Sequence, residues 1–260
     1  MAVAEGVVGQ FDFGRVVKNT FQVIGSNLKE LLVLSAPLSG LPALALGWAQ
    51  VAYAGGEAPS AATGLATFGL GAVGFVVAVI GSALLQATIV RVAVSTLNGQ
   101  SASAFAEMRK SIPFIAPLLG LGLLVGLGVM LGTMLLIVPG VILMIMWSVA
   151  APAFVVERIG VFDSLSRSRN LTRGHRWRIF GLFVAYLAVY FAAALVLGGV
   201  AVAFSFAGGA GASAIASVVG DALASVIGGV ISSAGAAAIY YELRAIKEGV
   251  GVNQLASVFD

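Results

Sequence analysis

Residues 113–157 read PFIAPLLGLGLLVGLGVMLGTMLLIVPGVILMIMWSVAAPAFVVE, and no charged residue occurs in them before the last position. The hydrocarbon core of a bilayer is about 30 Å thick, so a helix needs about 20 mostly apolar residues to cross it. This stretch is long enough for two crossings. Pro139 and Gly140 form a turn-favouring pair between them. The stretch therefore predicts a tight hairpin of two transmembrane helices.

Four further stretches of the chain satisfy the same length requirement. The six predicted spans lie near residues 30–53, 65–90, 113–137, 140–157, 179–206 and 217–241. The overall composition agrees, because 60% of the 260 residues are hydrophobic and 10% are charged, which is outside the range of soluble domains. We therefore expect an all-α, polytopic membrane protein in which residues 1–260 form a single integral membrane domain.

The lysines and arginines predict the orientation of these spans. All fourteen precede the first span or follow the second, fourth and sixth, whereas the other three connections contain none. By the positive-inside rule, both termini and the two longer loops are expected in the cytoplasm. The N-terminal sequence MAVAEGVVGQFDFG has no basic region followed by a short apolar core, so we expect no signal peptide.

Three shorter segments on the cytoplasmic side have an amphipathic pattern. They lie near residues 11–27, 101–112 and 161–173. In the first, Phe13, Val17 and Phe21 recur every four residues among polar positions, which is typical of a helix lying in the membrane interface. Because each segment precedes two spans, the chain can be divided into three hairpin units related about an axis along the membrane normal. The alternative is that alternating topology alone produces this order.

Small residues predict how the spans associate. Gly220, Ala224, Gly228 and Ser232 recur every four residues along the sixth span. Lipid and leucine are equally apolar, so helices in a membrane associate through close packing at small residues. We predict that this stripe packs against another span of the same chain, with a dimer interface as the alternative. Prolines within or near the spans, including Pro37 and Pro42, are expected to kink them.

No constellation typical of catalysis or of cofactor binding is visible in the sequence. The chain has no cysteine, and His175 is its single histidine, which excludes thiol chemistry and multi-histidine metal sites. Nucleotide-binding and hydrolase motifs are absent as well. No carboxylate is placed securely within a span, where a proton-driven pump usually needs one. We therefore expect no enzymatic activity, no cofactor and no metal.

The highest density of charge is in SLSRSRNLTRGHRWR, residues 164–178, which holds five arginines. Near a membrane surface, anionic lipid attracts basic residues by about 1 kcal/mol each, and guanidinium can bind phosphate in bidentate fashion. Three roles stay open: interface anchoring, binding of a specific phospholipid or phosphorylated ligand, and docking of another protein. Nucleic acid is not an expected partner. The candidate binding residues are Arg167, Arg169, Arg173, His175, Arg176, Trp177 and Arg178.

The run from residue 139 to residue 181 resembles the bacterial glycerophosphoryl diester phosphodiesterase membrane-domain family and its uncharacterised relatives. The ending YYELRAIKEG, residues 240–249, is similar to that family's closing segment. In the namesake proteins the membrane module is fused to a soluble phosphodiesterase barrel, and we expect only the membrane module here. The resemblance implies a bacterial inner-membrane helical module linked to lipids or the envelope. The matching features are Pro139-Gly140, Trp147, Pro152, Glu157, the stretch from Leu165 to Ser168, Leu171-Thr172 with Gly174, and Arg176-Trp177.

These expectations combine into one functional prediction and one alternative. The prediction is a non-catalytic inner-membrane protein whose basic cytoplasmic face binds anionic lipid or an associated protein, as a scaffold or accessory subunit of a membrane complex. The alternative is a transporter that moves a lipid or a small amphiphile through a cleft between kinked hairpins. A continuous cavity would favour transport, whereas closely packed spans with lipid or a partner on the cytoplasmic rim would favour the scaffold.

Overall fold

The computed structural model describes residues 11–54, 61–100 and 102–249, and every regular element in these ranges is helical. This confirms the all-α class. A π-helical turn, Ala36–Gly40, joins the first two helices, and a 3-10 turn, Ile112–Phe114, joins the fourth to the fifth. The α-helices are α1 (Phe13–Ser35), α2 (Leu41–Ala54), α3 (Ala61–Leu97), α4 (Ala104–Ser111), α5 (Ile115–Leu135), α6 (Ile137–Met146), α7 (Ala150–Glu157), α8 (Val161–Thr172) and α9 (Arg176–Glu248).

Within the described ranges, six helical stretches are long and apolar enough to cross a membrane, which confirms the predicted number of spans. The fifth and sixth spans both belong to α9, where Gly209 (φ 73°, ψ −169°) interrupts the helix between them. Glycine adopts this backbone conformation without the steric cost that a Cβ atom would impose. The six stretches are Phe13–Val51, Gly64–Leu97, Ala104–Leu135, Ile137–Glu157, Arg176–Gly209 and Gly211–Glu248.

The turn between the third and fourth spans lies at Leu136, so its predicted position at Pro139 and Gly140 is wrong. Leu136 is extended (φ −162°, ψ 147°), and α6 begins at the next residue. Pro139 therefore lies in the first turn of α6, where a missing backbone N–H breaks no helical hydrogen bond. A Cβ atom on Gly140 would lie 2.8 Å from the backbone nitrogen of Thr133. Gly140 thus allows the two helices of this hairpin to touch backbone to backbone.

The first amphipathic segment and the first span are joined at Asn27. Its backbone leaves the helical region (φ −127°, ψ 16°), and its side-chain amide donates hydrogen bonds of 3.0 Å to the Val23 carbonyl and to Thr96 Oγ1. Phe13 and Phe21 of the predicted apolar stripe are exposed, whereas Val17 is half-buried. The buried residues Val16, Thr20 and Val23 lie about a quarter turn around α1 from them. Phe13 and Phe21 are therefore available to lipid, and a second face of the same helix packs on the protein.

Most of the buried core lies at one end of the helix bundle, which we call the basic end. The helical segments that carry all fourteen lysines and arginines meet there. The core includes α3 from Leu85 to Val94, most of α7, and α9 from Ala234 to Leu243. Towards the other end, most large apolar side chains are exposed, for example Leu65, Phe68 and Phe75 of α3. Lipid can solvate these side chains, so the fold does not require them to be buried against protein.

Candidate lipid- and partner-binding surface at the basic end

Ion pairs with at least one buried partner fasten two of the amphipathic helices to the spans. Arg15 of α1 pairs with Glu242 of α9 at 2.8 Å, and only 3% of the Glu242 side chain is exposed. Glu107 of α4 pairs with Arg91 of α3 at 2.7 Å, and only 5% of the Arg91 side chain is exposed. Removing one partner of such a pair leaves an uncompensated buried charge, so these contacts fix where each amphipathic helix lies.

The third amphipathic helix, α8, is attached in the same way. Arg167 Nε lies 2.9 Å from both carboxylate oxygens of Glu157, the last residue of α7. Its guanidinium also pairs with Glu248 near the end of α9. Burial lowers the pKa of Arg167, but hydrogen bonds to Glu248 and Glu157 outweigh it, so the pKa is raised above its usual value. Arg167 is therefore charged and engaged by the protein itself.

These three attachments follow a cyclic order. α4 is paired to the last helix of the first predicted unit, and α8 is paired to the last helix of the second. α1, which begins the first unit, is paired to the last helix of the third. Three units arranged around an axis along the membrane normal would produce this order. The three-unit division stays a prediction, with which this order of contacts agrees.

A hydroxyl group on the buried face of α8 forms hydrogen bonds with backbone groups at a break in the fourth span. The span was predicted as one helix over residues 140–157, but it is interrupted between α6 and α7. Ser168 Oγ donates to the Met146 carbonyl at 2.8 Å and accepts from the Val149 backbone N–H at 3.3 Å. Ser164, Ser168 and Thr172 are fully buried. Their spacing of four residues was a readable signal, but the sequence did not lead us to expect these three hydroxyls on one buried face.

Arg169 and Arg173 are the candidate residues most available to a ligand. Both side chains are exposed. Neither takes part in an ion pair in the part of the chain that the structure describes. They lie on the same short helix and its C-terminal boundary as Arg167, which points the other way into its carboxylate partners. The arginines of this segment thus divide into one internal tether and two exposed cations.

The remaining candidates lie where α9 begins. Arg178 is exposed and donates to the Phe11 carbonyl at 2.8 Å, which connects the start of α9 to the start of α1. The His175 ring packs near the Phe11 ring, with centroids 6.1 Å apart. Arg176 is half-buried, and its Nε is buried without a hydrogen-bond partner among the described residues. The structure thus places three of the seven candidates at a junction between two helices.

Aromatic side chains accompany the exposed cations at the basic end. Trp177 is 85% exposed and packs edge-to-face on Phe180, with ring centroids 5.9 Å apart. Phe162 of α8 is 75% exposed, and Phe105 of α4 is also exposed. Aromatic and basic residues at one depth are typical of membrane interfaces, where rings lie at the level of the headgroups. Ser101, at the predicted start of the α4 segment, lies outside the described residues.

The small-residue stripe of the sixth span faces the fifth span of the same chain. A Cβ atom on Gly220 would lie 3.8 Å from Leu197 Cβ, and one on Gly228 would lie 3.6 Å from the Tyr186 hydroxyl. Ala224 is half-buried between them. Ser232 is exposed and bonds within its own helix, to the Gly229 carbonyl at 3.2 Å. Gly220 and Gly228 thus lie against the fifth span of the same chain, whereas Ser232 does not, and packing through the whole stripe stays a prediction.

An apolar groove of about 400 Å³ lies near the other end of the bundle, between the first, second and sixth spans. Its walls include Leu44, Trp48, Leu70 and Ile215, and they are almost entirely apolar. Such a groove has the size and chemistry for hydrocarbon and lacks groups that could hold a polar headgroup. Across residues 11–54, 61–100 and 102–249, no three His, Cys, Asp or Glu side chains are grouped as metal ligands would be.

Comparison with known proteins places the chain among bacterial membrane proteins. Residues 66–227 match the model of an uncharacterised protein family, UPF0259. A UPF0259 membrane protein of Pectobacterium carotovorum subsp. carotovorum (strain PC1) is 34% identical over 106 residues, which is 41% of this chain and 42% of that protein. The chain thus spans less than half the length of this curated relative. No solved structure matches the chain.

The matched residues bear directly on the candidate surface. They run from α3 into the second half of α9 and include all of α8 with its arginines. The expected likeness to uncharacterised bacterial membrane proteins is therefore confirmed. None of the comparisons ties the chain to the glycerophosphoryl diester phosphodiesterase membrane domain. Since the matched segment covers more than half of its residues, the chain belongs to the UPF0259 family of membrane proteins.

Proposed function

We propose that this protein is a non-catalytic protein of the bacterial inner membrane, with the basic end in the cytoplasm and bound to anionic lipid. The observation that carries the proposal is the pair of exposed guanidinium groups of Arg169 and Arg173, which have no ion pair in the described part of the chain. The other arginine of this helix, Arg167, is held by two carboxylates. The two groups that remain can bind phosphate oxygens of headgroups.

The location of these groups supports lipid as the ligand. Phe162 and Trp177 are strongly exposed at the same end of the bundle, and aromatic rings are favourable at the headgroup level. Anionic lipid attracts each nearby basic residue by about 1 kcal/mol. The basic end combines the favourable placement of aromatic rings with this electrostatic attraction. The positive-inside rule assigns this end, and both chain termini, to the cytoplasmic side.

The same surface suits a scaffold or accessory subunit of a membrane complex. The three amphipathic helices are fixed to the spans by ion pairs, so the surface they form is pre-organised before anything binds to it. A protein partner would replace lipid at the same cations. The resemblance to the glycerophosphoryl diester phosphodiesterase membrane domain implies a link to lipids or to the envelope, and we include that link in the proposal. We do not propose a phosphodiesterase activity for this chain.

Lipid retention in nanodiscs tests this proposal. The protein is reconstituted in an equal mixture of phosphatidylglycerol and phosphatidylcholine, released, and weighed with its bound lipids by native mass spectrometry. We expect phosphatidylglycerol to be enriched over phosphatidylcholine. In the R169Q/R173Q variant this enrichment is expected to fall on the order of tenfold, because two surface cations are removed. A K18Q/K29Q variant removes two exposed cations of α1 and is the matched control.

Two results would overturn lipid binding at this site. Retention of both lipids in equal amounts by the wild type would remove the preference for anionic lipid. Unchanged enrichment in R169Q/R173Q would assign these arginines to topology alone. In nanodiscs prepared directly from native membranes, a stoichiometric polypeptide that co-purifies with the wild type and not with R169Q/R173Q would make a protein the occupant of the surface.

Transport of a lipid or a small amphiphile is the second candidate. The apolar groove beside Trp48 favours it, because a groove of about 400 Å³ between three spans can accept an acyl chain. Flux of a fluorescent phospholipid between the leaflets of proteoliposomes tests this function. Flux that falls in a W48A/I215A variant would support transport, and flux equal to that of protein-free vesicles would exclude it.

A further inference from the structure

Six charged groups meet where the ends of α7, α8 and α9 come together. They are connected by ion pairs and by short-range electrostatic interactions. Four are cations and two are carboxylates, so the cluster carries a net charge of 4 − 2 = +2. The six residues are Glu157, Arg167, Arg173, Arg244, Lys247 and Glu248.

Both carboxylates of the cluster are already engaged. Glu157 accepts hydrogen bonds from Arg167 and, at 2.7 Å, from the Tyr240 hydroxyl. Glu248 pairs with Arg167 and, at 2.8 Å, with Arg244. Among the ion pairs of the described residues, neither carboxylate is paired with Arg173 or Lys247. The positive charge in excess therefore belongs to the two cations that are left, on α8 and α9.

Lys247 and Arg173 are these two cations. The Lys247 ammonium donates to the carbonyl of Asn170 in the last turn of α8, three residues before Arg173. It lies within electrostatic range of Arg173 and of Arg167. Both Lys247 and Arg173 are exposed. The α8 carbonyl end offsets part of the Lys247 charge, but one carbonyl does not carry a full negative charge.

An anion with two charges on one group matches this excess. A phosphomonoester carries a charge of about −1.5 to −2 at neutral pH, whereas the phosphodiester of an ordinary glycerophospholipid carries a single negative charge. An arginine fork can bind two oxygens of one phosphate, and an ammonium can reach the third. The charge of these two cations therefore favours a terminal phosphate over a bridging one.

We propose that Arg173 and Lys247, with Arg167 behind them, form a binding site for a phosphomonoester. The site rests on the proposed function, since Arg173 belongs to the same surface, but it adds Lys247 and a preference among anions. The phosphate can belong to a lipid headgroup, as in phosphatidic acid, or to a soluble phosphate ester. Both sources share the chemistry that the site recognises.

Competition between two anionic lipids tests the site. Nanodiscs that contain equal amounts of phosphatidic acid, phosphatidylglycerol and phosphatidylcholine are used with the full chain, and the retained lipids are counted by native mass spectrometry. We expect the wild type to retain phosphatidic acid about fivefold over phosphatidylglycerol, the effect of one further headgroup charge beside the cluster. K247Q is expected to lose this preference and to keep its phosphatidylglycerol. R169Q is expected to lower retention of both lipids alike.

A second measurement identifies the source of the phosphate. Inorganic phosphate and glycerol 3-phosphate are titrated into detergent-solubilised protein, free of added lipid, by calorimetry. Binding that K247Q abolishes would make the ligand a soluble phosphomonoester, and preference for phosphatidic acid without such binding would make it a lipid. K29Q, which removes an exposed cation of α1, is the matched control in both experiments. Circular dichroism of each variant shows whether the helices are retained.

The outcomes separate this proposal from the broader one. Equal retention of phosphatidic acid and phosphatidylglycerol, both above phosphatidylcholine, together with no phosphate binding, would overturn the phosphomonoester site and leave the anionic surface standing. The site is also overturned if K247Q and K29Q behave alike. No retention of either anionic lipid above phosphatidylcholine would overturn the proposed function itself.

Discussion

The hydroxyl of Ser168 lies 2.8 Å from the carbonyl oxygen of Met146, in the break that separates α6 from α7. Through this contact an amphipathic helix supplies the hydrogen bonds that the fourth span lacks. Ser168 and Val149 are fully buried. A polar backbone group in such a place is costly without a partner. The break and the helix that covers it therefore depend on each other.

Replacing Ser168 by alanine tests this dependence. We expect S168A to lower the free energy of unfolding by about 1–3 kcal/mol, because the Val149 N–H loses its partner and the Met146 carbonyl keeps only the longer hydrogen bond from Thr172 Oγ1, at 3.4 Å. The measurement is unfolding in mixed micelles of increasing denaturing detergent, followed by circular dichroism. S166A changes an exposed serine of the same helix and is expected to have no effect. Equal stability of the two variants would contradict the role of Ser168.

Gly81 is expected to tolerate no side chain. A Cβ atom at this position would overlap the carbonyl oxygen of Leu38 in the π-helical turn, and a backbone oxygen cannot rotate away. We expect G81A to destabilise the protein by about 1–3 kcal/mol, as overpacking commonly does. G69A, in the same helix, has open space around its Cβ and is the control. The same detergent titration measures both variants, and a G81A protein as stable as G69A would refute the close approach.

The absence of cysteine permits a direct test of the packing between the fifth and sixth spans. The Cβ atoms of L197C and G220C would be 3.8 Å apart, which matches the separation of about 3.8 Å in a disulfide. We expect the double variant to form an intramolecular disulfide when oxidised in membranes. L197C/V219C places the second thiol on the exposed side of the sixth span and is expected not to react within the chain. Cross-linked dimers of L197C/G220C would point instead to the stripe as a contact between copies.

Single cysteines also test the proposed orientation. Phe162 is exposed at the basic end, and Gly211 is exposed at the connection between the fifth and sixth spans. In intact spheroplasts, a membrane-impermeant thiol reagent is expected to label G211C and to label F162C only after the membrane is opened. Labelling of F162C in intact spheroplasts would reverse the orientation. The wild-type chain, which has no thiol, gives the background.

Hydropathy and charge were sufficient to predict the class of the fold. Long apolar runs have few alternatives to a spanning helix, and the fourteen cations separate the two ends without exception. The position of the turn at Leu136 could not be read in the same way. Pro139 and Gly140 favour turns, but proline is equally suited to the first turn of a helix, and glycine to close helix contact. Tertiary packing decides between these roles.

The candidate site was predictable as a segment and less so as a set of residues. Arg167 and Arg169 are separated by one position, and the sequence treats them alike. The structure separates them, because Glu157 and Glu248 lie on one side of α8 and come from distant parts of the chain. The position of Lys247 beside α8 depends on the same long-range contact. The hydroxyls of Ser164 and Thr172 had a visible periodicity, but polar residues on an amphipathic helix are ordinarily assigned to water.

The concentration of the buried core at the basic end makes the two halves of the helix bundle unequal in the folding of this protein. In one half the helices have protein as their neighbour, and in the other most of their large apolar side chains are exposed and need lipid as their neighbour. Extraction into detergent replaces the neighbours of the second half and leaves those of the first. Helical content alone would then report an intact protein after the far halves had lost their native spacing. Purification in native lipid therefore preserves a part of the fold that the polypeptide does not maintain unaided.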